Sequence, residues 1–153
     1  MVSHGLVSAA LFLIVGVVYE RKHSRSIADY SGLANTMPKY SAFFMLFMLA
    51  SVGLPGTSGF VGEFLVILST IKISIYLTIF TAVGVVVGAA YMLLLYKNIN
   101  FGQVNNNLKE MKDLNFIEIS YFTIISIMVV VLGIYPKLLL KLVDASISLS
   151  VLS

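Results

Sequence analysis

The stretch GLPGTSGFVGEF, residues 53–64, interrupts the longest apolar run of the chain with four glycines, a proline and a carboxylate. From Tyr40 to Ile71 that run holds no lysine or arginine. At about 1.5 Å per residue a continuous helix over it would reach roughly 48 Å, far beyond a hydrocarbon core of ~30 Å. The run must bend or break. Pro55 lacks the N–H that a helix interior requires, and Gly53, Gly56, Gly59 and Gly62 weaken helical order around it. Two half-helices are predicted, 40–54 and 60–71, joined by PGTSG, with Glu63 in the first turn of the second and Thr57 or Ser58 capping its exposed amides. Hydrocarbon offers no partner to backbone groups freed by a break, so the break belongs where protein or trapped water surrounds it. Discontinuous membrane helices of this kind aim half-helix ends at ion paths.

The rest of the chain has the same solvent in view. Of its 153 residues 59% are hydrophobic and 11% charged, more apolar surface than a soluble domain of this size can hide. Cysteine and tryptophan are absent, which excludes a disulfide framework and a thiolate metal site. The net charge of +3 comes from cations in short loops beside apolar segments, so it reads as a topology signal and no nucleic-acid partner is expected. The N-terminal apolar stretch is not a secretory leader, because its positive charges, Arg21, Lys22 and Arg25, follow it instead of preceding it.

The expected architecture is an all-α integral membrane domain with four transmembrane segments: 2–18, the broken second segment at 40–54 and 60–71, then 73–96 and 116–135, followed by an interfacial tail over 137–153. Pro136 closes the fourth, and Asn115 with Glu118 is placed to start it. If all four cross, residues 19–39 and 97–115 share one face with Arg21, Lys22, Arg25, Lys39, Lys97, Lys109 and Lys112, while Lys72, Lys137 and Lys141 lie on the other. The cation-rich face is then cytoplasmic, or matrix in a mitochondrion. Loop 97–115 is read as an exposed connection without chemistry.

Glu63 is the one charged residue in the interior of segments two to four. A carboxylate at the centre of a membrane helix costs about 2.5–3.5 kcal/mol on insertion scales, and such residues mark proton or ion paths. The structural alternative is a carboxylate that caps the second half-helix through its dipole. His4, in SHGLVSAAL, has an imidazole suited to relaying protons, or to a single hydrogen bond with a neighbouring helix. GVVVG, residues 84–88, fits close helix packing, and Tyr91 and Tyr96 fit an interfacial aromatic belt. No glycine-rich phosphate loop, His/Cys metal spacing or Ser/His/Asp set is present, so no nicotinamide, flavin, iron–sulfur or metal cofactor is expected in this chain.

HGLVSAALFLIVGVVYER and YSGLANTMPKYSAFFMLFMLASVGLPGTSGFVGEFLVIL resemble the C-terminal portion of the M subunit (chain 4) family of proton-pumping NADH:quinone oxidoreductase, respiratory complex I. LPGTSGFVGEF favours this family over its antiporter-like sisters, which carry a second proline, and a lysine where Glu63 stands. The resemblance implies an antiporter-like bundle of about fourteen helices, with Glu63 at the exit end of a proton path on a discontinuous helix, and His4 at a family histidine. It also implies upstream helices of the same subunit, bearing a glutamate and central lysines that this chain lacks, as partners together with other membrane subunits and the bilayer of a bacterial cell membrane or mitochondrial inner membrane. The chain is thus expected to serve as a subunit fragment of the oxidoreductase, without a redox site and inactive alone. Two alternatives stand beside it: a subunit of a secondary cation/proton antiporter, and a truncated, non-conducting remnant.

Overall fold

A computed structural model describes residues 2–103, 108 and 111–137. Among them all regular structure is helical: α1 (Val2–Lys22), a short 3-10 turn (Ile27–Asp29), α2 (Leu33–Thr36), α3 (Pro38–Ser51), α4 (Ser58–Ile71), α5 (Ile75–Asn100) and α6 (Phe116–Ile134). Three of these, α1, α5 and α6, are long and apolar enough to cross a membrane. At fourteen residues each, α3 and α4 reach roughly 21 Å and fall short of a ~30 Å core singly.

The hub is α3, which packs on α1, α5 and α6. Phe47 of α3 and Phe122 of α6 are fully buried, with ring centroids 5.9 Å apart, and Phe44 meets Tyr96 of α5 at 5.3 Å. Offset aromatic pairs of this kind add about 0.5–1.5 kcal/mol beyond the area they bury. Val7, Ala10, Ile14, Val17 and Val18 form the buried stripe of α1, at the three-and-four spacing of one helix face. The outer faces are inverted relative to a soluble protein. Tyr76, Phe80 and Val86 of α5 are 73%, 76% and 68% exposed, as expected where lipid or protein is the neighbour.

Helix boundaries depart from the sequence expectation where a polar contact intervenes. The first helix continues past 18 to Lys22 because Arg21 bonds back to the Val17 carbonyl at 2.9 Å and across to Glu118 of α6 at 2.7 Å. It ends at His23, whose φ of +53 is left-handed. The third helix starts at Pro38, not 40, because Pro suits the first helical position and the Asp113 carboxylate accepts the Lys39 and Tyr40 amides at 3.0 and 3.2 Å. Asp113 thus caps a helix 74 residues away in sequence, so the loop read as a plain connection has a structural task. The fifth runs over Ile75–Asn100 instead of 73–96. Asn100 is buried and accepts a 2.6 Å bond from the Ser41 hydroxyl, and the Tyr96 hydroxyl donates to the Ser41 carbonyl at 3.1 Å. Tyr96 is therefore a core residue and not part of an interfacial belt, whereas Tyr91 is 65% exposed. The sixth begins at Phe116 as expected, with the Asn115 amide bonded to Glu118 at 2.6 Å, and stops at Ile134, one residue before 135. The interfacial tail falls almost wholly on residues 138–153, outside the described ones.

Candidate functional site

The gap between α3 and α4 is built residue by residue from GLPGT. Gly53 has φ +70, the left-handed conformation that only glycine adopts without strain. The Gly53 amide bonds the Ala50 carbonyl at 3.4 Å and the Leu54 amide bonds the Leu49 carbonyl at 3.0 Å. That pair is a Schellman ending, which stops the helix and satisfies its last carbonyls. Leu54 precedes proline and is steered away from helix. Pro55 and Gly56 then occupy the centre of a turn closed by the Thr57 amide on the Leu54 carbonyl at 3.0 Å. Proline followed by a glycine at φ +93 is the type II pattern. α3 therefore ends at Ser51, three residues short of the 54 expected for the first half-helix.

α4 starts at Ser58, two residues before the 60 expected for the second half-helix, so Glu63 sits in its second turn and not its first. Neither expected cap acts on the helix amides. The Thr57 hydroxyl turns back to the Leu54 carbonyl at 2.7 Å, and the Ser58 hydroxyl is buried without a partner among the described residues. Gly59 and Gly62 lie inside α4, beyond the break. Gly59 is needed there, since a Cβ would overlap the Ala50 carbonyl, but at Gly62 a Cβ would meet open space. From outside, α6 closes on the turn: a Cβ on Gly133 would overlap the backbone of Gly56 and Thr57. The sequence gives no pattern that would single out Gly133.

The Glu63 carboxyl lies against Gly53, where a Cβ would collide with it. Beside it is a cavity of about 360 Å³, bounded by Ser51 and Val52 at the end of α3 and by Thr81, Gly84, Gly88 and Ala89 of α5. That volume holds several waters. The Ser51 and Thr81 hydroxyls donate to carbonyls of their own helices, Met48 at 2.7 Å and Leu77 at 2.8 Å, which leaves their oxygen lone pairs to accept from water. Gly84 and Gly88 do not pack closely, because a Cβ on either would meet nothing within 4 Å. Their smallness opens space in front of Glu63. His4 is exposed on α1 and pairs with Ser8 of the same helix at 3.3 Å, and it does not line this cavity. The structure brings Glu63 together with Gly53 and the α5 glycines, and leaves His4 apart.

Residues 1–88 match the family model described as NADH:quinone oxidoreductase/Mrp antiporter, TM. The chain belongs to this family. NADH-quinone oxidoreductase subunit M of Rhodobacter capsulatus is 46% identical over 149 residues, which cover 97% of this chain and 29% of that protein. Respiratory complex I from Thermus thermophilus with bound NADH contains a chain that is 34% identical and superimposes with a TM-score of 0.75, over 85% of this chain and 27% of that one. A chain of the Mrp complex from Dietzia sp. DQ12-45-1b shares the fold, with a TM-score of 0.77 at 20% identity, over 92% of this chain and 34% of its own. The chain spans about 30% of the length of the curated relatives it matches. Family membership and the three apolar helices make it a multi-pass membrane protein.

Proposed function

We propose that this chain forms one end of a proton path in the membrane arm of an NADH:quinone oxidoreductase, seated in a bacterial cell membrane or a mitochondrial inner membrane. In this reading α3 and α4 together make one interrupted span, and Glu63 exchanges protons with water in the cavity beside it. Electrons pass from NADH to quinone in other subunits. The chain binds no redox cofactor and is inactive without its partners, among them upstream helices of the same subunit. The observation that carries the reading is the Glu63 carboxyl, set at a helix break and facing a cavity opened by Gly84 and Gly88. A carboxylate that only served the helix dipole would belong in the first turn, and Glu63 is in the second. A lysine at this place, which the resemblance associates with the antiporters, is absent, and that supports the redox-driven reading over the secondary-antiporter one.

Glu63→Gln in the assembled complex keeps the size of the side chain but cannot release a proton. We expect complex abundance and membrane insertion to be unchanged and the protons moved per NADH oxidised, read by dye quenching in sealed vesicles, to fall. Glu63→Asp should retain part of the activity. Pumping by Glu63→Gln at the native ratio would remove the site.

A further inference from the structure

A second cavity, about 570 Å³, lies between α1, α3 and α5 toward the cation-rich end and shares only Met92 with the lining of the Glu63 cavity. Its floor is apolar and buried, with Val18, Tyr40 and Phe44. Its α1 wall runs from Leu11 to Tyr19, a rise of about 12 Å along the helix. Phe12 and Val15 on that wall are 79% and 62% exposed, so the slot opens sideways to whatever surrounds the bundle. At its polar end stand Ser24 and Arg25.

Two nearby arginines have different surroundings. Arg21 is largely engaged: four of its five guanidinium donors bond the carbonyls of Val17, Lys112 and Asp113 and the Glu118 carboxylate. Arg25 lies over the Tyr19 ring at 5.4 Å and, among the described residues, has no carboxylate within ion-pairing distance. The cation–π contact is no hydrogen bond and consumes none of the five guanidinium N–H donors, which remain for an acceptor. The nearest acid in sequence, Asp29, is engaged by the Ser24 hydroxyl. An apolar slot lying along the helices, open to the side and ending at a guanidinium without an ion pair among the described residues, matches an acyl chain topped by a phosphate. Basic pockets between membrane helices on the cytoplasmic side take anionic headgroups in this manner.

We infer that the slot between α1 and α5 holds an anionic phospholipid, with one acyl chain between Phe12 and Phe44 and its phosphate on Arg25. Glu63 does not line this slot, and the inference does not rest on the Glu63 reading. The test places a photo-crosslinking residue at Phe12 in the chain within its native membranes and reads the adducts by mass spectrometry. Adducts with phosphatidylglycerol or cardiolipin are expected, falling about fivefold in Arg25→Gln, the factor that one basic residue near an anionic surface contributes. Adducts with polypeptide would show that the slot is a protein interface, and adducts with zwitterionic lipid indifferent to Arg25→Gln would show only bulk lipid; either result overturns the inference, as does no adduct at all. Arg25→Lys should restore most of the anionic adduct, separating charge from local structure.

Discussion

Gly53 meets two demands at once, a left-handed φ of +70 and the Glu63 carboxyl where its Cβ would be. Gly56 meets only the first, with φ +93 and open space around it. Alanine in a left-handed conformation costs roughly 1–2 kcal/mol, so Gly56→Ala should lower the thermal stability of the purified protein modestly and leave proton pumping intact. Gly53→Ala adds the collision and must push the carboxyl out of place. It should lose pumping along with stability, and a Gly53→Ala variant that pumps as well as Gly56→Ala would contradict the contact between Gly53 and Glu63. The residue types of the turn were legible in advance because proline and glycine dictate backbone angles locally. The contact of Glu63 with Gly53 was not, since it depends on how the turn seats α4 over the end of α3. The same dependence moved Glu63 from the first turn to the second: a helix start is set by backbone closure at Thr57, and no side-chain cap announces it.

At the scale of elements, glycines of identical appearance in sequence have opposite work. The spacing of Gly84 and Gly88 suits close packing, and it suits a cavity equally; only the element opposite decides, and here it is the break with Glu63. Gly133 has no patterned neighbour, yet the turn of Gly56 and Thr57 leaves no room for a Cβ there. Alanine at each position separates the two roles. Gly133→Ala inserts a methyl against backbone that has no rotamer to change, and should destabilise by about 1–3 kcal/mol, the usual penalty of overpacking. Gly88→Ala meets open space and relieves a flexible helix position, so it should be neutral or stabilising by up to about 1 kcal/mol. Denaturation of each variant in detergent micelles compares them directly. A reversed order would mean that α6 does not lean on the break and that α5 is packed where the cavity is drawn. Helix existence followed from hydropathy, whereas helix ends followed from distant polar partners such as Asp113, which hydropathy does not record.

Across the whole molecule, polar cross-links gather at the cation-rich end. Arg21 joins α1 to α6, Asp113 caps α3, and Ser41, Tyr96 and Asn100 join α3 to α5. The opposite end has the break. The Arg21–Glu118 pair measures how much the tie matters. Its nitrogen and oxygen are 2.7 Å apart and the side chains are 16% and 14% exposed, so the pair is partly desolvated and salt screens it less than a surface pair. In a double-mutant cycle, Arg21→Gln and Glu118→Gln should each destabilise the protein. Arg21→Gln should do so more, because it also releases the carbonyls of Val17, Lys112 and Asp113. The double variant should lose less than the sum by about 0.5–3 kcal/mol, the range for residues in direct contact. Additive losses would mean that the two side chains act separately, Arg21 on backbone carbonyls and Glu118 on the start of α6, and that α1 and α6 are held together by apolar packing alone.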